Sequence, residues 1–300
     1  MKKVTSILVL VFLFTSVHAQ WVKAGGPTGG SVQEMVMNGN NMFLATPSNV
    51  FLSNDNGANW NDVTNNLPQT VYFKDLAVVG SNIFLATQQH GVYLSTNNGS
   101  SWSAVNNGFD VSMSALKFLV KGTDIYTASR NGVFGSTNNG TNWNSLSTGL
   151  PVENKTGITS ISSKLFVSSH SNGVYRSLDN GLTWTQVNTG LPNNYVRCLA
   201  SGSSELWAGC WPGLFKSTNN GDTWTTVTSA FQGNPDAIGV NGSTIIVAYD
   251  GGTFSKSTDG GVTWNNLNGI YGRTTYSIQF VGTKIYVCTT AGLYVSNDGG

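Results

Sequence analysis

Charge, cysteine and long apolar runs are all scarce in this chain, and each scarcity removes a class of function. Only 10% of its 300 residues are charged, 15 basic against 14 acidic. The lysines and arginines are scattered singly, so the electropositive face that nucleic-acid binding requires is missing and no nucleic-acid partner is expected. The three cysteines, Cys198, Cys210 and Cys288, are too few and too irregularly spaced for a disulfide framework. They read as small buried thiols, and a Cys198–Cys210 bridge would have to link neighbouring strands out of register. The longest apolar run, Ile7 to Phe14, has eight residues, far short of the roughly 20 that cross a bilayer. It follows Lys2 and Lys3 and precedes Val17-His18-Ala19, the pattern of a secretory signal peptide over residues 1–19. The expectation is an exported protein, secreted or held at the cell surface or in the periplasm, with no transmembrane segment. Removing residues 1–19 takes away two lysines and no acids, which leaves 13 basic and 14 acidic side chains and a nearly neutral chain.

What the sequence does have is a repeat. The octet Ser136–Trp143 (STNNGTNW) returns as Ser53–Trp60 (SNDNGANW), Ser95–Trp102 (STNNGSSW), Ser177–Trp184 (SLDNGLTW), Ser217–Trp224 (STNNGDTW) and Ser257–Trp264 (STDGGVTW). A seventh copy begins at Ser296 and reaches its fifth position at Gly300. Successive serines lie 42, 41, 41, 40, 40 and 39 residues apart, so seven repeats of about 40 residues account for residues 20–300. Within one repeat, short runs alternate apolar and polar: Ile158 to Ile161, Leu165 to Ser169, Val174 to Ser177 and Trp184 to Val187. These read as four strands, and no long helical periodicity competes with them. A four-stranded unit of this size cannot bury both faces alone, but stacking around an axis buries them, which predicts an all-β, seven-bladed β-propeller of antiparallel blades.

In that architecture the octet joins the third strand of a blade to the fourth. Its first residue (Ser53, Ser95, Ser136, Ser177, Ser217, Ser257) and its third, Asp or Asn, can bond back to turn amides, while its fifth (Gly57, Gly99, Gly140, Gly181, Gly221, Gly261) tolerates positive φ. Its Trp (Trp60, Trp102, Trp143, Trp184, Trp224, Trp264) starts the outer strand and is expected to pack between sheets. Trp21 lies 39 residues before Trp60, in the register of an outer-strand Trp without an octet of its own. The segment Gln20–Ala24 is therefore expected to close the ring as the fourth strand of the seventh blade.

Ser-x-Asp-x-Gly-x-x-Trp resembles the Asp-box, or bacterial neuraminidase repeat. Ser53, Asp55, Gly57 and Trp60 match it at every defined position, Asp179 and Asp259 also carry the acid, and Asn97, Asn138 and Asn219 replace it. The segments GVYLS, GVFGS, GVYRS, GLFKS and GLYVS, with the connectors at Gly149–Pro151 and Gly190–Pro192, resemble those of secreted Asp-box propellers: xyloglucan-active glucanases, sialidases, sortilin-type receptors and photosystem II assembly-factor propellers. The resemblance implies the fold for residues 20–300 and only weakly a function, because one fold hosts many activities.

Since positions that recur in every repeat serve architecture, an individual function is expected where the repeats differ. The tips between second and third strands contribute Gln88-Gln89-His90, Ser129-Arg130-Asn131, Ser169-His170-Ser171, Cys210-Trp211-Pro212 and Tyr249-Asp250-Gly251. Links between blades and first strands add Tyr72, Asp75, Asp110, Glu153, Tyr195, Arg197, Tyr271 and Arg273. The ligand-binding candidates are Tyr72, His90, Arg130, His170, Tyr195, Trp211, Asp250, Tyr271 and Arg273, aromatics beside amides and single charges, a mixture suited to a glycan, a peptide or a partner protein. No metal and no other cofactor is expected: His90 and His170 have no Asp or Glu beside them, and the octets lack the twelfth-position acid of an EF-hand. Catalysis finds weak support. Of the acids, Glu34, Asp75, Asp110, Glu153, Asp236 and Asp250 are placed for the ligand face or channel, and no pair stands out as the two carboxylates a glycosidase needs. A sialidase would also need an arginine triad, and this chain has four arginines in all and lacks the Arg-Ile-Pro segment of those enzymes. A xyloglucanase-like or sialidase-like glycoside hydrolase is the alternative to a non-catalytic binding or scaffold propeller, expected as a monomeric domain.

Overall fold

A computed structural model describes residues 21–26, 30–109, 114–227, 233–267, 269–270 and 273–300. Its strands form seven four-stranded antiparallel sheets, each a blade of one β-propeller. The first strands are Glu34–Asn38, Phe73–Val79, Ala115–Lys121, Lys155–Ile161, Val196–Ser201, Pro235–Asn241 and Thr275–Val281. Each lies beside the first strand of the next blade, and the last lies beside the first, so together they ring the axis. No helix among the described residues is long and apolar enough to cross a membrane.

The seventh sheet takes its fourth strand from the other end of the chain. Val22–Lys23 pairs with Gly292–Ser296 through Val22↔Val295 and Lys23↔Tyr294, and the Ala24 amide donates to the Leu293 carbonyl at 2.9 Å. Trp21 stacks on Phe254 of the sixth blade, with ring centroids 5.3 Å apart and planes inclined by 30°. The seventh sheet thereby has four strands like the other six, with the N-terminal strand as its outer edge.

The octet's hydrogen bonds explain why Asp and Asn interchange at its third position. In the first copy, Ser53 Oγ accepts from the Gly57 amide at 2.8 Å and donates to Asp55 Oδ1, which also accepts from the Asn59 amide at 2.9 Å. An amide oxygen does the same at Asn97, accepting from the Ser95 hydroxyl and the Ser101 amide while Ser95 Oγ accepts from the Gly99 amide. The second atom then follows the seventh residue: Asp179 Oδ2 accepts from Thr183 Oγ1, and Asn219 Nδ2 donates to Thr223 Oγ1. The fourth residue is as constrained as the fifth, for Asn56, Asn98, Asn139, Asn180 and Asn220 all have φ between 54° and 59°, a left-handed conformation that Asn tolerates better than other side chains. The Asn59 amide and side chain and the Ser53 hydroxyl hold the Asp55 carboxyl down at about 2, and the Thr183 hydroxyl and amide with Ser177 do so for Asp179. These bonds favour the folded state above the ordinary carboxylate value near 4, and that contribution is lost as pH falls toward about 2.

The tryptophans divide into two groups where one was expected. Trp102, Trp143, Trp184 and Trp224 are buried and send their indole N–H to a carbonyl of the preceding blade, those of Val63, Val105, Leu146 and Val187 at 2.7–2.9 Å. Trp60 and Trp264 are only partly buried, and each bonds back to its own turn, at Gly57 O and Gly261 O. The difference lies in the link before each Trp. Links such as Asn106–Phe109 and Ser147–Leu150 fold into a turn whose carbonyl receives the next Trp amide, as Asn107 O does for Trp143 and Thr148 O for Trp184. Lys23–Gly26 and the segment after Val227 lack that sequence. The three cysteines are free thiols, and no Cys198–Cys210 bridge forms because Cys210 stands opposite Val196 and Cys198 opposite Gly209.

Candidate functional site

Six of the seven first strands carry a bulge at their second residue, between Phe73 and Asp75 and at the matching places in the third to seventh blades. A bulge inserts one extra residue and re-aims the side chains around it. Two tiers result at the channel mouth. The bulged residues are Lys74, Leu116, Thr156, Arg197, Asp236 and Tyr276; one step inward stand Asp75, Lys117, Gly157, Cys198, Ala237 and Ser277, with Glu34 in the same register opposite Ala45. Most of both tiers line a cavity of about 480 Å³ on the axis.

Charge in this cavity is paired. Lys117 Nζ lies 3.5 Å from Glu34 Oε2 and 3.7 Å from Asp75 Oδ1; the lysine side chain is 32% exposed and both acidic side chains 6%. All three line the cavity, the lysine as the most open of them. Ser277 Oγ and Gln279 Nε2 donate to Glu34 Oε1 at 2.7 and 2.8 Å, and the Phe118 amide donates to Asp75 Oδ2 at 2.6 Å. Burial pushes the Asp75 carboxyl up to about 8; Lys117 opposes this, and the adjoining Glu34, within hydrogen-bond contact, adds to it. Burial alone would lower the Lys117 ammonium, but Asp75 and Glu34 reverse that and hold it above its ordinary value. Between the fifth and sixth blades Arg197 bridges Asp236 at 2.5 Å and Asp250 at 3.1 Å. Asp250 also accepts from the Asn234 amide and side chain at 2.7 and 2.8 Å.

The raised Asp75 has a measurable consequence. The folded chain keeps a proton on this group that the unfolded chain releases near pH 4, so the folded state binds more protons between about 4 and about 8. Stability should fall as pH rises through that window and level off above it. In Asp75→Asn the amide preserves the acceptor for Phe118 and supplies a donor toward Glu34, so thermal melts between pH 5 and 9 should show a flatter dependence than the parent chain. An unchanged slope would place the titration elsewhere.

Around the channel mouth, all the described candidates from the sequence are exposed: Tyr72, His90, Arg130, His170, Tyr195, Trp211, Asp250 and Arg273. Tyr271 and Asp110 lie outside the described residues. Three of the candidates come together. His170 meets the Tyr195 ring edge-on, centroids 4.4 Å apart, and Asn193 ties Tyr195 to Trp211 by accepting from the Tyr195 amide and donating to the Trp211 carbonyl. Trp211 is 51% exposed and Tyr195 38%, an open aromatic surface on a link and the neighbouring tip. Glu153 beside it is engaged by Ser171, whose hydroxyl and amide both donate to its carboxylate. Tyr72 stands apart with Lys74 Nζ 4.2 Å above its ring, and Arg130 lines a separate depression with Lys74. Asp250 is exposed but committed to Arg197 and Asn234.

Two acidic pairs do stand out in space, Glu34 with Asp75 and Asp236 with Asp250, although none did along the chain. Lys117 was missing from the candidates altogether. The available signal was columnar: Glu34, Asp75 and Lys117 follow one another at 41 and 42 residues, one repeat apart, so writing the repeats beneath one another puts two acids and a lysine in neighbouring blades at one level.

A family profile described as the DUF6242 beta propeller domain matches residues 18–166 and 111–250, two overlapping windows on a repetitive chain. No protein of curated function matches the sequence. Among solved structures, YCF48 from Cyanidioschyzon merolae superposes with a TM-score of 0.77 at 16% identity over 93% of this chain and 98% of its own. A YCF48 structure described as bound to D1 peptide gives 0.78 at 15%, over 94% of this chain and 96% of that one. The extracellular domain of the putative one component system BT4673 from B. thetaiotaomicron gives 0.78 at 12%, over 92% of this chain and 40% of that one. The GH74 xyloglucanase from Xanthomonas campestris gives 0.74 at 16%, over 94% and 54%. At these identities the likeness establishes the fold, a seven-bladed propeller used by binding proteins and by an enzyme alike.

Proposed function

The chain belongs to the DUF6242 beta propeller family, and from that premise we propose that it is an exported, non-catalytic binding or scaffold module whose loop face holds a glycan, a peptide or a partner protein. Residues 1–19 serve as its signal peptide, residues 20–300 as one propeller, and the octets as Asp-box turns that build the face opposite the ligand. The observation that carries this reading is the division of labour at the channel mouth. Glu34, Asp75, Asp236 and Asp250 are all engaged by Lys117 or Arg197, while Tyr195 and Trp211 remain open to solvent. A glycosidase separates its two carboxyl groups by about 5–9.5 Å to admit substrate or water. Glu34 and Asp75 are within hydrogen-bond contact and share a lysine, an arrangement suited to holding three blades together. Peptide occupancy of YCF48 and the extracellular setting of the BT4673 domain are compatible with such a role.

The test is a panel of xyloglucan oligosaccharides, sialosides, β-glucans and extended peptides presented to the purified protein. Binding without turnover is expected. Trp211→Ala and Tyr195→Ala should each weaken the bound member about tenfold, the scale of an aromatic anchor removed from a contact surface, with the melting temperature unchanged. Hydrolysis that disappears in Asp75→Asn or Asp250→Asn would replace this reading with the glycosidase one.

A further inference from the structure

A second depression, of about 600 Å³, opens on the loop face away from the Tyr195–Trp211 surface, and Lys74, Arg130, Gln88, Gln89, Asn131 and Asn154 help to line it. Its residues arrive from three blades. Lys74 is the bulged residue of the second blade's first strand, Gln88 and Gln89 form that blade's tip with Gln89 at φ 68°, Arg130 and Asn131 form the third blade's tip, and Asn154 precedes the fourth blade. The chemistry differs from that of the axial cavity. Among the described residues no carboxylate lines it and neither Lys74 nor Arg130 takes part in an ion pair, whereas Lys117, Arg176 and Arg197 all do. The side-chain amides of Gln88, Gln89, Asn131 and Asn154 likewise make no hydrogen bond within the described chain; the bonds of Gln88, Asn131 and Asn154 run through their backbones. Among the described residues, two cations without an ion pair and four side-chain amides without a hydrogen bond thus converge on one concave surface, with the Tyr72 ring flanking Lys74.

We propose that this depression binds an acidic oligosaccharide, a sugar chain bearing uronate carboxylates. The inference deepens the loop-face reading above and rests on it, while using different residues. Lys74 and Arg130 answer the carboxylate. Each amide offers donors and an acceptor together, which matches the paired donor and acceptor character of neighbouring sugar hydroxyls. An acidic peptide would also satisfy the cations and could pair with these amides through its backbone, so it is the competing occupant that the test must separate from the sugar. A free inorganic anion would leave their acceptor oxygens idle. Tyr72, 39% exposed, carries Lys74 Nζ 4.2 Å over its ring and so holds one of the two cations at the edge of the depression.

The experiment is calorimetric titration of the purified protein with trigalacturonate, a neutral galactotriose of the same length and hexaglutamate. Trigalacturonate should bind, galactotriose at least tenfold more weakly, and hexaglutamate more weakly than trigalacturonate. Arg130→Ala and Lys74→Ala should each reduce trigalacturonate affinity about tenfold, and Gln88→Ala with Asn131→Ala several-fold, all at an unchanged melting temperature. Absence of trigalacturonate binding, indifference to Arg130→Ala, or tighter binding of hexaglutamate would each overturn the proposal. The broader reading fails separately, if Trp211→Ala and Tyr195→Ala leave binding of the panel intact.

Discussion

Trp143→Ala is expected to destabilise the ring by about 3–5 kcal/mol, the range for truncating a large buried aromatic. The indole is 3% exposed, meets Phe109 edge-on at 6.1 Å and donates to the Val105 carbonyl of the preceding blade at 2.7 Å. Truncation removes the packing and strips a carbonyl of its partner in a place water reaches poorly. Trp60→Ala is the matched control, because Trp60 is only partly buried and bonds to its own Gly57. It should cost about 1–2 kcal/mol, within the ordinary range for a point substitution. Urea melts of the two variants decide the matter. Equal losses, or a loss below about 1 kcal/mol for Trp143→Ala, would mean that docking onto the preceding blade does not hold neighbouring sheets together.

Deleting residues 20–26 is expected to have an effect at least as large. It removes the stacking of Trp21 on Phe254, the pairing of Val22–Lys23 with Tyr294 and Val295, and the Ala24 bond to Leu293. Loss of a partly buried aromatic at about 1–2 kcal/mol combines with about 1 kcal/mol for each ladder hydrogen bond, and the strand Gly292–Ser296 becomes an open edge. The whole ring should melt earlier in one transition, since the seventh blade contacts both the first and the sixth. Ala24→Pro is the milder companion, because it removes a single donor and should cost about 1 kcal/mol. A deletion that leaves the melting temperature in place would show the terminal strand to be a frayed addition.

The blades were legible because their cause is local and repeated. A strand, an Asn-Gly turn with two left-handed residues and a Trp one octet later can be read from eight letters, and seven copies at a period near 40 admit few architectures other than a propeller. The channel was harder to read because its contacts are made one repeat apart, between residues unremarkable in their own strands. Glu34, Asp75 and Lys117 became a cluster only when three blades were set side by side, and the bulges that put Arg197 and Asp236 in one tier leave no mark in the apolar alternation. The two classes of Trp fall between these cases. The octets look alike, but the turn that receives the Trp backbone amide belongs to the preceding link, where Asn106–Phe109 and Ser147–Leu150 differ from Lys23–Gly26 in plain sequence. The loop-face candidates were legible as exposed positions and illegible as a group, since the bonds of Asn193 to Tyr195 and Trp211 join a link to a neighbouring tip.

The most direct test compares the two faces of the ring with one pair of double variants in a single binding measurement. Tyr195→Ala with Trp211→Ala alters the loop face; Leu182→Asp with Val262→Asp alters the octet face at side chains that are 63% and 80% exposed. Both pairs should melt like the parent chain, because none of the four side chains is buried. With a ligand from the glycan and peptide panel held at fixed concentration, binding should be lost in the first pair and retained in the second. Binding retained in the first pair and lost in the second would contradict the assignment of function to the loop face.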